Sequence, residues 1–511
     1  MKSRILRHLD VSVVAPAGQR AGKRAKRGKA PDVKPLKKRP DMTWHDHLVM
    51  LLHIGAEIEH GLMVQYLYSA YSLGGEQVPE EHRPTVKRWQ DSILAVAKEE
   101  MGHLLTVQNI LTLLGAPVNL DREDYPWDIQ YYPFKFKLEP LTLESLARYV
   151  YAEMPPESTF AKTRNKAPGK ALLWRYQRFE DGERDEIKRL AGHVHRVGTI
   201  YDEIFTLLGD RKRIPDAAFQ EHTYGLQASW DDWGRGYQPD PRLLDAGGNL
   251  LGAPARPAAS GHPAHVIIDQ VATRTHALDA LQALSAQGEA PHLAADETEE
   301  PSHFDRFLEI YQEFVDTSKK KPWRASRYVP VNPTTLDHPD APGGDGYIAA
   351  TRSREWAELF NLRYRILLSY LTHTFRLARV TSGDAPSVRA MVMHRVFGEM
   401  YNLKTIAGIL VQVPLRDAGG GAASGNPACA GPPFEMPYNL RLPPTETDTW
   451  RLHRDILGSA DRLCMQMLKS KRRPLAEGRA YLATLVDLDT QSRAWIDQIL
   501  AGLGATERHS I

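Results

Sequence analysis

One stretch, KEEMGHLLTVQNILTLLG, constrains this chain more than any other. Glu100 and His103 stand three residues apart among Ile93, Leu94, Val96, Ala97, Met101, Leu104, Leu105, Val107, Ile110 and Leu111, which read as the apolar face of a helix. Three residues turn a helix through about 300°, so both side chains leave one face and can grip one ion. An unpaired carboxylate on that face costs on the order of several kcal/mol. A bound cation removes the conflict.

The chain is long enough, at 511 residues, for two or three ordinary domains. No apolar run reaches the roughly 18 residues of a membrane span, so no transmembrane helix is expected. The N-terminus carries charges throughout and makes a poor signal peptide. Cys429 and Cys464 are the only two cysteines, which fits a reducing, cytoplasmic setting and leaves too few thiolates for a four-sulfur cluster. Any metal must therefore be held by carboxylates and imidazoles. Residues 1–40 hold thirteen Lys/Arg against Asp10 and Asp32. That basic stretch lacks aromatics and reads as a disordered, solubilising tail rather than a nucleic-acid arm.

From Met42 onward the periodicity is helical. The spacing predicts helices over about 44–73, 84–114, 141–154, 183–208, 264–287 and from 302 onward, then 353–380, 386–412, 447–471 and 476–503. Residues 210–262 are rich in Gly, Pro and Asp and contain Trp230, Trp233 and Tyr237. Such a long insertion reads equally as a lid over a site or as a packed surface excursion. The expected architecture is all-α: a tail over 1–40, a four-helix bundle with long insertions over 41–320, a linker over 321–346 and a second helical unit over 347–511.

Further ligands are sought on the neighbouring helices. In the first, Glu59 shares a face with Leu52, Leu62, Met63 and Tyr66, whereas Glu57 continues the apolar stripe less well. Glu59 and Tyr66 beside Glu100-x-x-His103 make one half-site. Candidates for the other half are Glu153, Glu289 and His303, with His195 and Asp202 as a weaker pair. Together they supply the carboxylates and two imidazoles of a di-iron or di-manganese centre, which bundle helices hold in this manner. Tyr66 is the expected catalytic side chain, and Gln108 is expected to orient a ligand. In the second half, Asn361, Tyr364, His373, His394 and Glu399 lie on helices, but no Glu-x-x-His recurs there. That half reads as a structural or substrate-covering unit.

The segments AEIEHGLMVQYLYSAYSL, VAKEEMGHLLTVQNILTLLGAPVNL, ALDALQALSAQGEA and SHFDRFLEIYQEF resemble the ferritin-like domain of the iminophenyl-pyruvate dimer synthase family, as does AGPPFEMPYNL. Glu-x6-Tyr, Glu-Glu-Met-x-His and Gln-Gly-Glu…Ser-His-Phe occur in that order, and the resemblance covers most of the chain after residue 40. It implies metal ligands at Glu59, Glu100, His103, Glu289 and His303, with Glu153 as a sixth. Relatives often read Ile-Gly-Glu-x-Tyr where this chain has Val197-Gly198-Thr199-Ile200-Tyr201, so a threonine stands where a carboxylate is common.

Hard oxygens with two imidazoles suit an Fe/Fe or Mn/Fe pair. The expected function is an O2-dependent di-iron oxidoreductase of specialised metabolism. Its expected substrate is amino-acid-derived or peptidic, with an upstream oxidase as supplier and a homo-oligomer compatible with the sequence. Neither membrane nor nucleic acid is an expected partner. The alternative is a non-catalytic ferritin-like iron-binding or partner-binding protein.

Overall fold

The computed structural model describes residues 37–127, 132–155, 170–229, 232, 266, 268–289, 301–319, 321–337, 346–378, 387–417, 428–470 and 476–509. It divides into two compact units, Met1–Arg327 and Tyr328–Ile511. The described residues form helices and four isolated bridges, with no strand among them. None of these helices is long and apolar enough to cross a membrane. The basic tail up to residue 36 lies outside the described residues.

In the first unit, α1 (Trp44–Ser72) and α2 (Arg83–Leu113) are the long members. Thr43 starts α1 with a capping box: its hydroxyl accepts the Asp46 N–H while Asp46 accepts the Thr43 N–H. The helices run antiparallel, because Gln90 near the start of α2 donates to the Ala70 carbonyl and His45 near the start of α1 meets the Leu114 carbonyl. α1 is buried almost all round, Glu57, Glu59, His60 and Gln65 included, as a helix at the centre of a bundle must be.

Shorter helices build the rest: α3 (Leu143–Ala152), α4 (Lys170–Arg178), α5 (Arg184–Ala191), α6 (Gly198–Gly209), α7 (Arg274–Glu289) and α8 (His303–Ser318). The chain enters α3 through an extended segment laid along α1, where Gln65 and Ser69 donate to the carbonyls of Lys137 and Glu139. Gly61 makes that approach possible. A Cβ there would lie 2.4 Å from Phe136 Cε2 and 3.1 Å from Trp127 Cη2. Both rings are buried, so Gly61→Ala is expected to cost ~1–3 kcal/mol in denaturant unfolding. An unchanged midpoint would show that the segment yields.

Two elements differ from the periodicity. The helix expected over 183–208 breaks at Gly192 (φ 80°), which ends α5. His195 then donates its backbone N–H to the Pro133 carbonyl and Val197 to that of Ala152, and these bonds set the start of α6. The helix expected from 264 begins only at Arg274. Ahead of it, side chains satisfy the extended backbone: Asn109 donates to the Asp269 carbonyl, Thr106 accepts the Asp269 N–H, and Gln227 bonds both ways with Val271. β-Branched residues such as Val266 and Ile268 favour that conformation. Helix α4 was not singled out by the periodicity.

The early part of the 210–262 insertion packs down as two short 3₁₀ turns, Asp216–Ala218 and Glu221–Leu226. Arg274 holds this region through the Asp216 carboxylate and the carbonyls of Leu208 and Ile214. Trp230, Trp233 and Tyr237, on which the lid reading rested, lie outside the described residues.

The second unit contains α9 (Thr351–Thr374), α10 (Val388–Leu410), α11 (Glu446–Lys469) and α12 (Ala476–His509). At its centre the buried Arg363 guanidinium grips Asp489 at 2.7 and 2.6 Å and reaches Glu399 at 3.2 Å. Asn361 and the Thr334–Thr335 pair all donate to Glu435, while Tyr364 packs against Phe434. His373 bridges Glu446 and His453, and His394 is exposed.

Candidate metal centre

Glu100 and His103 leave α2 on the face turned into the bundle, as their spacing predicts. Around them the fold brings Glu59 from α1, Glu153 from the C-terminal cap of α3 and His303 from the first turn of α8. A capping box of Ser302 with Asp305 starts α8 and so sets the place of His303. Glu59, Glu100, His103, Glu153 and His303 are all buried.

Glu100 sits between the two imidazoles. One of its oxygens lies 3.2 Å from His103 Nδ1 and the other 3.0 Å from His303 Nδ1. Glu59 Oε2 is 3.6 Å from His103 Nδ1, and Glu153 Oε2 is 3.9 Å from His303 Nδ1. Glu100, His103 and His303 form the group of donors close enough to hold one ion among the described residues. Glu59 Oε2, Glu100 Oε1 and His303 Nδ1 make no hydrogen bond there. Buried polar atoms are otherwise almost always satisfied, so these three unpartnered atoms, beside the His103–Glu100 hydrogen bond, fit ligands of a shared cation. The donor set, oxygen and imidazole without sulfur, suits iron or manganese.

Each imidazole is held from behind. His103 Nε2 meets Gln287 Oε1 at 2.9 Å, and His303 Nε2 meets Glu99 Oε2 at 2.9 Å. With Nε2–H donating outward, the Nδ1 lone pair faces the centre. Arg306 binds the second oxygen of Glu99 at 2.8 Å. Two phenols hold the outer carboxylates: Tyr66 donates to Glu153 and Tyr201 to Glu59. A cavity of about 20 Å³, room for roughly one water-sized molecule, opens beside Glu59, Glu100, His103 and Glu153. Leu62, Val197, Gly198, Tyr201, Leu284, Ser285 and Gly288 complete its wall.

Several expected residues stand elsewhere. Gln108 does not orient a ligand; it bonds both ways with Asn119 and fastens the loop after α2. His195 lies in the break before α6 and Asp202 is exposed, so the weaker pair does not join the cluster. Glu57 is buried but turns to Tyr132, which donates to it at 2.7 Å. Glu289 ends α7, and its side chain lies outside the described residues. Tyr66 is enclosed by Tyr149 and Phe307, with both ring centroids 4.9 Å away, and does not line the cavity. From the segment where Thr199 replaces a common carboxylate, Tyr201 is the side chain that hydrogen-bonds into the site, beside Val197 in the cavity wall.

Glu99, Gln287, Tyr201 and Arg306 were missed. The Glu99-Glu100 doublet inside an apolar helix was a signal for the first, since two buried carboxylates a third of a turn apart need partners on two sides. Gln287 belongs to the Gln-Gly-Glu element, read only for its glutamate.

Burial and the Glu100 charge push Glu59 up to about 7 and Glu153 up to about 8. Burial works against the imidazolium of His303, yet Glu100 and Glu99 hold it up at about 9. His103 is raised well above its usual value against burial, by Glu100 and Glu59. Burial would raise Glu100 itself, but the two imidazoles hold it well below the usual carboxylate range. Without metal, then, Glu59, Glu153, His103 and His303 bind more protons in the folded protein than in the unfolded chain. Burial lowers His53, His60, His373 and His453, and from about pH 6.5 to 9 these neutral rings no longer offset them. Stability must fall as pH rises through that window, while Glu100, ionised throughout it in both states, contributes no slope. The melting temperature of the metal-free protein is expected to drop between about pH 6.5 and 9, and bound metal, replacing those protons, to flatten the dependence. A flat metal-free profile would contradict this charge arrangement.

Two relatives are similar to this chain in sequence. One is a dichlorochromopyrrolate synthase from Lentzea aerocolonigenes, 26% identical over 419 residues and covering 76% of this chain and 36% of the relative. Another is a 2-imino-3-(indol-3-yl)propanoate dimerase from Chromobacterium violaceum, 30% identical over 131 residues, 20% of this chain and 13% of the relative. The chain thus spans about a third of the length of the first and about an eighth of the second. No solved structure matches the chain significantly. The ferritin-like family profile matches residues 52–312, just over half of the sequence: α1 from Leu52 onward, all of α2 to α7 and the first part of α8. With its carboxylate and imidazole donors gathered on the helices of that matched region, the chain belongs to the ferritin-like family.

Proposed function

We propose that this protein is an O2-dependent non-haem di-iron oxidoreductase acting on an amino-acid-derived imine or a related small or peptidic substrate. The observation that carries this reading is the position of Glu100, whose two oxygens face two imidazole nitrogens, with its Oε1 and His303 Nδ1 buried and in no hydrogen bond. Glu59, Glu100 and His103 would hold one metal, and Glu100, Glu153 and His303 the other. An iron pair of this kind supplies two electrons to O2.

The chain's own groups do the rest. Leu62, Val197 and Leu284 exclude bulk water from the cavity, which strengthens electrostatic interactions inside it. A space of about 20 Å³ admits a molecule no larger than O2 or water, so a larger substrate must part the cavity wall. Tyr201 Oη holds a proton between Glu59 and that cavity, in place to pass it to a bound reactant. Tyr66 acts through Glu153, which it orients. The imine assignment draws on the dimerase, named for an imino acid bearing an indole, and on the synthase that aligns along most of this chain.

The test is anaerobic Fe(II) loading of the metal-free protein followed by O2. About two irons per chain are expected, with a transient near-ultraviolet or visible absorption on mixing and a slower decay in Tyr201→Phe. Trace metal only would sink the reading. Two irons that never react with O2 would reduce the protein to a metal-binding module.

A further inference from the structure

The two halves of the centre are alike in their inner ligands and different behind them. We propose that the metal position at His303 is filled first and held more tightly than the position at His103, because a carboxylate backs one imidazole and an amide the other. The inference rests on the two-metal reading above.

His303 Nε2 lies 2.9 Å from Glu99 Oε2, and Arg306 Nη1 lies 2.8 Å from the other Glu99 oxygen. Glu99 has no exposed surface, and an isolated charge there would be expensive. The guanidinium on one oxygen and the imidazole N–H on the other satisfy it and fix its direction. A carboxylate that accepts an N–H draws the proton toward itself and pushes electron density to the opposite ring nitrogen, making Nδ1 a stronger donor. His103 Nε2 meets the neutral Gln287 Oε1, also at 2.9 Å. The distance is the same and the charge is absent, so His103 Nδ1 gains less.

The inner carboxylates do not cancel this difference. Glu100 is shared, Glu59 stands on the His103 side, and Glu153 stands on the His303 side, one each. Each of the outer two also accepts one phenol hydrogen bond, from Tyr201 and Tyr66 respectively. Among the described residues, the backing group is the asymmetry that remains. Of the two imidazoles His103 lines the cavity and His303 does not, while the outer carboxylates of both sides, Glu59 and Glu153, line it alike. Glu99, Arg306 and Gln287 are positioning residues, touching imidazoles rather than reactants.

Anaerobic titration of the metal-free full-length chain with Mn(II), followed by calorimetry and electron paramagnetic resonance, tests this. Two binding steps are expected, about tenfold or more apart in affinity. The first equivalent should give the signal of an isolated ion, which broadens as the second couples to it. Glu99→Gln should weaken the tighter step about 10–100-fold and leave the weaker step in place, so that the two merge. Gln287→Glu, at a half-buried position less exposed to folding failure, should instead tighten the weaker step. His103→Ala should keep the tighter step, and His303→Ala only the weaker. Two steps of equal affinity, or both weakened alike by Glu99→Gln in a protein of unchanged circular dichroism, would overturn the inference and leave the two-metal reading standing. Failure of wild-type protein to bind a second Mn(II) or Fe(II) would overturn both.

Discussion

Glu100→Gln is expected to strip the protein of both metals at once, from about two per chain to a small fraction of one, with the helical circular dichroism unchanged. No other side chain in the centre has that reach. Its oxygens stand 3.2 Å from one imidazole nitrogen and 3.0 Å from the other, so the neutral amide weakens both positions together. Glu59 and Glu153 each approach a single imidazole. Glu59→Gln and Glu153→Gln are therefore expected to lower the content by about one metal each, a carboxylate being replaced by a poorer ligand for a hard ion. The folded state should tolerate the change, because His103 and His303 can shed the protons that Glu100 holds on them, and the Gln amide can accept from one ring while donating to the other. Metal analysis after anaerobic reconstitution and desalting distinguishes the variants. Equal metal content in Glu100→Gln and wild type would remove Glu100 from its central role.

The second large effect belongs to the second unit and to stability. Arg363→Ala is expected to cost ~3–5 kcal/mol, the usual penalty for breaking a buried ion pair, and to lower the melting temperature of that unit by roughly 6–20 °C. Asp489 and Glu399 would be left buried without their cation. Burial already raises both carboxyls above their ordinary values despite Arg363, and losing the guanidinium raises them further. The variant should therefore recover part of its loss as pH falls toward about 5, where the orphaned carboxyls take up protons. Metal content should stay at the wild-type level, which separates this effect from damage to the centre. A shift of under about 1 kcal/mol would mean that water reaches the site and solvates the carboxylates.

Much of the centre was legible before any fold was known, and for one reason. A carboxylate or imidazole on an otherwise apolar helical face is costly, so Glu59, Glu100 and His103 stood out from their own neighbours. The same periodicity marked the helices α1, α2, α8 and those of the second unit, where caps such as Thr43, Ser302 and Thr445 begin them. It failed where backbone hydrogen bonds leave the helix for partners far along the chain. Val197 bonds the Ala152 carbonyl, and Asp269 meets Thr106 across 163 residues. Periodicity carries no record of such partners, which is why one expected helix broke at Gly192 and another began ten residues late.

The amino-acid sequence by itself determined the fold class, the thiol-free candidate donor set and the shared helical face of Glu100 and His103, because these depend on residue type and on spacing along one helix. The tertiary structure alone decided that Glu100 faces both imidazoles, that Glu99 and Gln287 back them unequally, and that Tyr201 rather than Tyr66 borders the cavity. Those relations join groups 142 to 204 residues apart. Only packing brings such distant side chains within hydrogen-bond range.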